Sequence, residues 1–461
     1  MIVEELKILS PTAILGYGFP EESFMAGMAK KPHIIAVDAG STDPGPHYLG
    51  SGTSFTDRSA VKRDMEYMIT AAIENNIPLI VGTCGGAGAD AHLDWNVDIV
   101  KEISREKGLK FKLAVINAQI PNQVVLQKFK QGKVNPLHPA PPATEADIVD
   151  SAAIVGQMGH EPFIQALNAG AQVILAGRTY DPSVFAALAI KNGYDAGLAI
   201  HLGKILECAA IAATPGSGSD CLFGSLGVDY FRVETLSPAR KCTPLSVAAH
   251  TLYEKTDPYH LPGPGGALDL TNTTFEQDTE NSVIVKGSKF VPSDGYFVKL
   301  EGAKRVGYRT VSIAASRDPI FIEQIDEIIK EVEQRVKTNF ANLDMGEYFL
   351  NFRIYGKNGV MSMFPATETE QEPVEIGIVI EAVADTQESA NTICAFARST
   401  MLHFGYPGRK STAGNLAFPF SPSDFKVGEV FAFSLYHLME VDDPVEYFPI
   451  TITTLDKGVM A

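Results

Sequence analysis

The chain has 461 residues and a formal net charge of −17, with hydrophobic residues at 45% and charged residues at 20%. Such a balance is ordinary for a soluble globular protein, and the acidic excess argues against nucleic-acid or anionic-membrane partners, which recruit basic surfaces. The N-terminal MIVEELKILSP has no signal-peptide pattern, no apolar run reaches membrane-spanning length, and the five cysteines form no CxxC pair, so the expectation is a cytoplasmic protein with reduced thiols.

In chain order, Ala13–Leu15, Ile34–Val37, Leu79–Val81, Leu113–Ile116, Ala153–Val155 and Val173–Leu175 read as short buried strands. Helical patterns at Arg58–Asn75, Asp94–Lys107 and Pro162–Ala169 lie between them, and Pro182–Asn192 and Gly203–Ala213 follow. This alternation predicts an α/β fold, a largely parallel sheet with helices on both faces. From about Asn281 the pattern changes. Short strands at Val283–Val285, Phe290–Val291 and Tyr296–Leu300 precede a strand at Tyr308–Ala315, a long helix at Pro319–Phe340, strands at Tyr348–Tyr355 and Val374–Ala384, and a helix at Thr386–His403. That order predicts a ferredoxin-like α+β domain. The expected division is 1–300 for the α/β domain and 301–461 for the ferredoxin-like one, with Pro365–Pro373 as an acidic solvated connection.

Several predicted strands end in glycine and polar residues, which suggests one site at one sheet edge. The stretch PLIVGTCGGAGAD (78–90) is the richest: Thr83, Gly85, Gly86 and Gly88 let the backbone turn and present N–H groups to a ligand. It lacks the spacing of nucleotide-binding loops. Asp38, Asp43, Asp90 and Asp181 each follow a strand and are candidates for acid–base work or for a divalent cation; alternatively they cap helices or form turns. Cys84, inside the loop, is either a thiol with a lowered pKa or a small residue chosen for fit. Arg178 either grips a substrate carboxylate or pairs with Asp181. His160 is a candidate general base. His250 and Glu254 would share a helix face, and Leu261–Asp269 is a candidate binding loop. Near the C-terminus, Arg409, Lys410, Ser411, Thr412 and Asn415 offer donors to an anionic group, or form a surface turn.

The segments VDAGSTDPGPHYLG (37–50), IPLIVGTCGGAGAD (77–90), GAQVILAGRTYDPSVFAA (170–187), SVAAHTLYEKTDP (246–258), GGALDL (265–270) and TAGNLAFPFSPSDF (412–425) resemble the acyclic terpene utilisation AtuA-like family. The resemblance implies an α/β domain followed by a ferredoxin-fold domain, and a place in the breakdown of carboxylic acids handled free or as CoA thioesters. It also implies a hetero-oligomer with a small companion subunit; the other expectation is a homo-oligomer. It carries over no catalytic residues.

The expected function is therefore a hydro-lyase of organic acid catabolism. Arg178 or the Arg409–Lys410 loop would hold the carboxylate, Gly85–Gly88 amides would stabilise an enolate-like oxyanion, and Asp38, Asp90, Asp181 or His160 would move protons, with or without a divalent cation. The alternatives are a hydrolase or thioester enzyme with Cys84 as nucleophile, and a non-catalytic ligand-binding subunit of a hetero-oligomer.

Overall fold

A computed structural model describes residues 4–40, 44–253, 255–341, 346–361, 373–410 and 412–460. Asp43, Glu254, Ser411 and most of the acidic stretch before Pro373 lie outside the described residues. Five strands run parallel in the order Leu6–Ser10, Ile34–Asp38, Leu79–Gly82, Val173–Ala176, Lys110–Ile116. Antiparallel strands extend this centre on both sides: Leu222–Leu226, Tyr230–Thr235, Ser282–Lys286 and Thr274–Thr279 on one, Ile450–Asp456 and Val459–Met460 on the other. The fold is thus α/β, with a large sheet whose five central strands are parallel.

Successive residues of a strand face opposite sides, and here both sides are apolar, as burial under helices on both faces requires. Ile34, Ala36, Ile80, Ala114 and Ile174 join one core with Val184 and Phe185 of the helix Ser183–Lys191 and Leu198 and Leu202 of Ala196–Leu206. Ile35, Val37, Leu79, Val81, Leu113 and Val173 join the other with Val61 and Met65 of Arg58–Glu74 and Leu93 and Val100 of Asp90–Lys107. Asp195 caps the helix Ala196–Leu206, its carboxylate accepting the Leu198 N–H at 2.9 Å.

Three sequence expectations need correction. The N-terminal strand is Leu6–Ser10, not Ala13–Leu15; Pro11 ends it, and the following segment turns through Gly16 at φ +100°. Ser151–Gln157 is a strand but pairs antiparallel with Lys299–Lys304, outside the parallel sheet. The helix expected at Gly203–Ala213 spans Ala196–Leu206, followed by a short 3₁₀ turn at Ala209–Ala212.

By packing, the chain divides into two units, Met1–Lys304 with Phe433–Ala461, and Arg305–Ala432. The second unit runs strand–helix–strand–strand–helix–strand. It comprises the end of Tyr296–Ser316, the helices Pro319–Glu323 and Ile325–Phe340, the strands Tyr348–Tyr355 and Ile376–Ala384, the helix Gln387–Leu402 and the start of Asp424–Val441. Ile376–Ala384 pairs antiparallel with Tyr348–Tyr355 on one side and with Tyr308–Ser316 on the other. Its alternate residues Ile376, Ile378, Ile380 and Ala382 pack on Ile325, Ile328, Ile393 and Ala397 of the two long helices. No described helix is long and apolar enough to cross a membrane.

Candidate functional site

The carboxyl ends of the central strands are tied together by main-chain bonds. Ala39 N–H donates to the Gly82 carbonyl at 2.9 Å, Thr83 N–H to Gly177 at 3.0 Å, and Arg178 N–H to Gly88 at 3.1 Å. Met158, at the end of Ser151–Gln157, joins the same edge by donating to the Arg178 carbonyl at 3.1 Å and accepting from Tyr180 N–H at 2.9 Å. Glycine permits this density. A Cβ on Gly40 would overlap the Thr83 side chain and the Gly86 carbonyl, and one on Gly88, at φ +70°, would overlap the Arg178 backbone.

Asp38, Thr83, Arg178 and Asp181 meet at this edge. Thr83 adopts φ +44°, a conformation that β-branched residues rarely take. Strain of this kind persists only where surrounding contacts enforce it. The Thr83 hydroxyl accepts from Thr179 N–H at 3.3 Å and from Arg178 Nη1 at 3.4 Å. The buried guanidinium also donates from Nε and Nη2 to both oxygens of Glu301, and from Nη1 to Asp181 at 3.2 Å. Burial opposes its charge, but the Glu301 and Asp181 carboxylates outweigh it and hold Arg178 firmly protonated. Burial likewise opposes the charge of Glu301, yet Arg178 and Lys299 bring its pKa down to about 2. Asp38 differs. Burial, then repulsion from Asp181, raises its pKa well above the usual carboxylate range despite Arg178, and its Oδ1 has no hydrogen-bond partner among the described residues. One edge therefore holds a carboxylate whose pKa is depressed and a carboxyl whose pKa is raised, the kind of divergence from which acid and base roles are assigned.

A second polar group faces Asp38 and Asp181 from the helix Ala196–Leu206 and its exit. Lys204 pairs with Glu207 inside the protein. The Glu207 carboxyl is pushed up by burial and by Asp181, and its Oε2 is unpartnered among the described residues. Cys208 is half-buried, its thiol pushed up by burial and by Glu207. Ala209 follows at φ +48° and turns the chain sharply away. His250, from Pro244–Thr251, completes a cluster in which one ligand atom each from Glu207, Cys208 and His250 lies within 4.8 Å of the others. Tyr180 closes the same space, its hydroxyl pKa raised by burial and by the Glu207 and Asp181 charges. Lys204, Glu207 and Glu301 escaped sequence reasoning. A Lys and a Glu three residues apart in an otherwise apolar helix were the signal for the first two.

The remaining expected residues divide. Asp90 opens the helix Asp90–Lys107 and is engaged by Asn117 Nδ2 at 2.8 Å, while its N–H donates to Gln119. His160 starts the helix Glu161–Asn168, 3.8 Å from Glu161, and burial lowers its pKa. The hairpin His260–Gly263 and Gly266–Asp269 brings Gly263 against Tyr180 and Gly265 against Tyr296, so the expected binding loop lies over this edge. Gly86 and Ala87 line a small pocket with Tyr48, Phe55, Glu301 and Phe433. The N–H groups of Gly86 and Gly88 are engaged by the Thr83 and Cys84 carbonyls; those of Gly85 and Ala87 have no main-chain acceptor among the described residues. Of the two readings offered for Cys84, the thiol of lowered pKa does not agree with its surroundings. The thiol is fully buried in the core, and burial together with the Asp38 charge pushes it up to about 12.

A family model described as acyclic terpene utilisation family protein AtuA matches residues 55–220 and 238–421. The chain belongs to the AtuA family. No curated protein and no solved structure matches it significantly. The matched segments of this AtuA-family chain include Thr83, Arg178, Asp181, Glu207, Cys208, His250 and Glu301, while Asp38 precedes them.

Arg409, Lys410 and Asn415 lie in the second unit. Asn415 Nδ2 donates to the Met401 and Phe404 carbonyls at 2.9 Å each, and Arg409 donates to the His403 and Ala413 carbonyls. The bond to Met401 caps the end of the helix Gln387–Leu402, and the others tie the loop to the residues that follow it. Lys410 is exposed.

Proposed function

We propose that this AtuA-family chain is a hydro-lyase of organic acid catabolism, acting on a short or branched carboxylate or its CoA thioester. The observation that carries the reading is the buried Asp38 carboxyl, its pKa raised by burial and by the neighbouring Asp181, at the strand ends. Hydration of a 2,3-double bond needs one group to take a proton from the attacking water and another to deliver a proton to the α carbon. Asp181 takes the first role. Asp38 supplies the second proton, and reversal of both transfers is the dehydration. Arg178, oriented by Glu301, and the Thr83 hydroxyl face the substrate acid group, and free amides of the glycine loop stabilise the enolate-like oxygen. A Cys84 nucleophile fits poorly with a thiol this buried.

Under this reading the unit Arg305–Ala432 is ferredoxin-like. Its βαββαβ order supports that, as does the sheet order Tyr348–Tyr355, Ile376–Ala384, Tyr296–Ser316, Asp424–Val441. The protein would act in the cytoplasm, a setting that suits its unpaired cysteines. It would work as a homo-oligomer or with a small companion subunit. The test is water addition to a panel of short and branched 2-enoates and their CoA thioesters, followed by mass. The wild type should turn over at least one, and Asp181→Asn and Arg178→Met should lose that activity while still folding. Full activity in both variants would overturn the reading.

A further inference from the structure

We propose that Glu207, Cys208 and His250 bind a divalent transition-metal ion of the zinc class. Carboxylate oxygen, thiolate sulfur and imidazole nitrogen together form a ligand set suited to zinc, and three protein ligands leave a fourth position open. The three ligand atoms lie within 4.8 Å of one another, close enough to converge on one ion with side-chain adjustment. Two independent features point to a ligand. His250 is buried and its Nε2 has no hydrogen-bond partner among the described residues. Glu207 is also buried, and while Oε1 pairs with Lys204, Oε2 has no partner among the described residues. Buried polar atoms without partners are costly and rare, and an ion would satisfy both. Asp181 adds negative charge near Glu207 and Cys208. Cys208 would bind as thiolate, its proton released to solvent. Cys208 is the one cysteine of the five that is not buried.

The site does not rest on the hydro-lyase reading, because its test uses no substrate. Chelator-treated protein is titrated with cobalt(II) chloride and followed by absorption. One cobalt should bind, with a near-ultraviolet thiolate-to-cobalt band that is absent from Cys208→Ser and weakened in His250→Gln and Glu207→Gln. In parallel, zinc chloride should protect Cys208 of the native protein from alkylation, and should fail to do so in His250→Gln. Circular dichroism confirms that each variant is folded; if Cys208→Ser is not, the alkylation arm decides alone. Equal cobalt spectra in the wild type and the variants, or alkylation of Cys208 at the same rate with and without zinc, would overturn the proposal.

Discussion

Arg178 donates to both oxygens of Glu301, from Nε at 2.8 Å and from Nη2 at 3.3 Å, with the two side chains only 4% and 1% exposed. A buried forked pair is weak evidence for net stability, but breaking it leaves a buried charge alone. Glu301→Ala should therefore cost about 3–5 kcal/mol in denaturant unfolding. Arg178→Met combined with Glu301→Leu should recover most of that loss and still be inactive, which would separate the pair's structural role from its positioning role.

The same pair sets an acid limit. The folded-state pKa of Glu301 is depressed to about 2, from an ordinary 4.5. A depressed carboxylate contributes stability above its unfolded value and loses it as pH falls through the folded one. Stability should thus decline between about pH 4.5 and 2, and the decline should be shallower in the Arg178→Met, Glu301→Leu variant. Urea midpoints across that range measure it.

Asp38 has the opposite sign. Its folded pKa is raised, so its contribution is complete below the unfolded value and is lost as pH rises through the folded one. Asp38→Asn removes the cost of holding a proton on this buried carboxyl and should raise the melting temperature by about 2–4 °C at neutral pH, with the gain vanishing in acid. Turnover should fall by about 100-fold or more, since the proton donor is gone. Scanning calorimetry at two pH values and one activity assay check both halves.

Cys84 should resist alkylation in the native protein, because its thiol is buried and pushed up to about 12. Cys84→Ala should keep full turnover. Peptide mapping after iodoacetamide treatment, paired with activity, reads the outcome.

Asn415→Ala removes two bonds to carbonyls at a helix end. At about 1 kcal/mol for each such bond, it should destabilise the protein by about 2 kcal/mol and leave KM unchanged. A raised KM would favour the anion-binding role that the basic residues of this loop suggested.

The parallel sheet was legible because Ile34–Asp38, Leu79–Gly82 and Val173–Ala176 are short continuous apolar runs followed by glycine, a pattern few other structures produce. The strand Leu6–Ser10 was hidden by Lys7, whose N–H finds a partner in His33 Nδ1 at 2.9 Å at the sheet's end. Ser151–Gln157 looks like any buried strand, and nothing local says that its neighbour is residue 299 rather than the parallel sheet. At the site, residues next to a strand end were legible: Asp38, Thr83, Arg178 and Asp181 all followed an apolar run. Glu301 was not, because it sits inside a long strand remote in sequence and becomes polar machinery only through Arg178. Glu207 and Cys208 were hidden for a similar reason: they follow an apolar helix, and their partner His250 comes from a separate one.

The central claim is that Asp38 and Asp181 exchange protons with a bound organic acid. The most direct measurement is turnover of a 2-enoate or its CoA thioester in deuterium oxide, with mass and proton spectra of the product. The wild type should add water and place one solvent deuterium on the α carbon, and Asp38→Asn and Asp181→Asn, both folded, should lose that incorporation. Undiminished incorporation in both variants would contradict the claim.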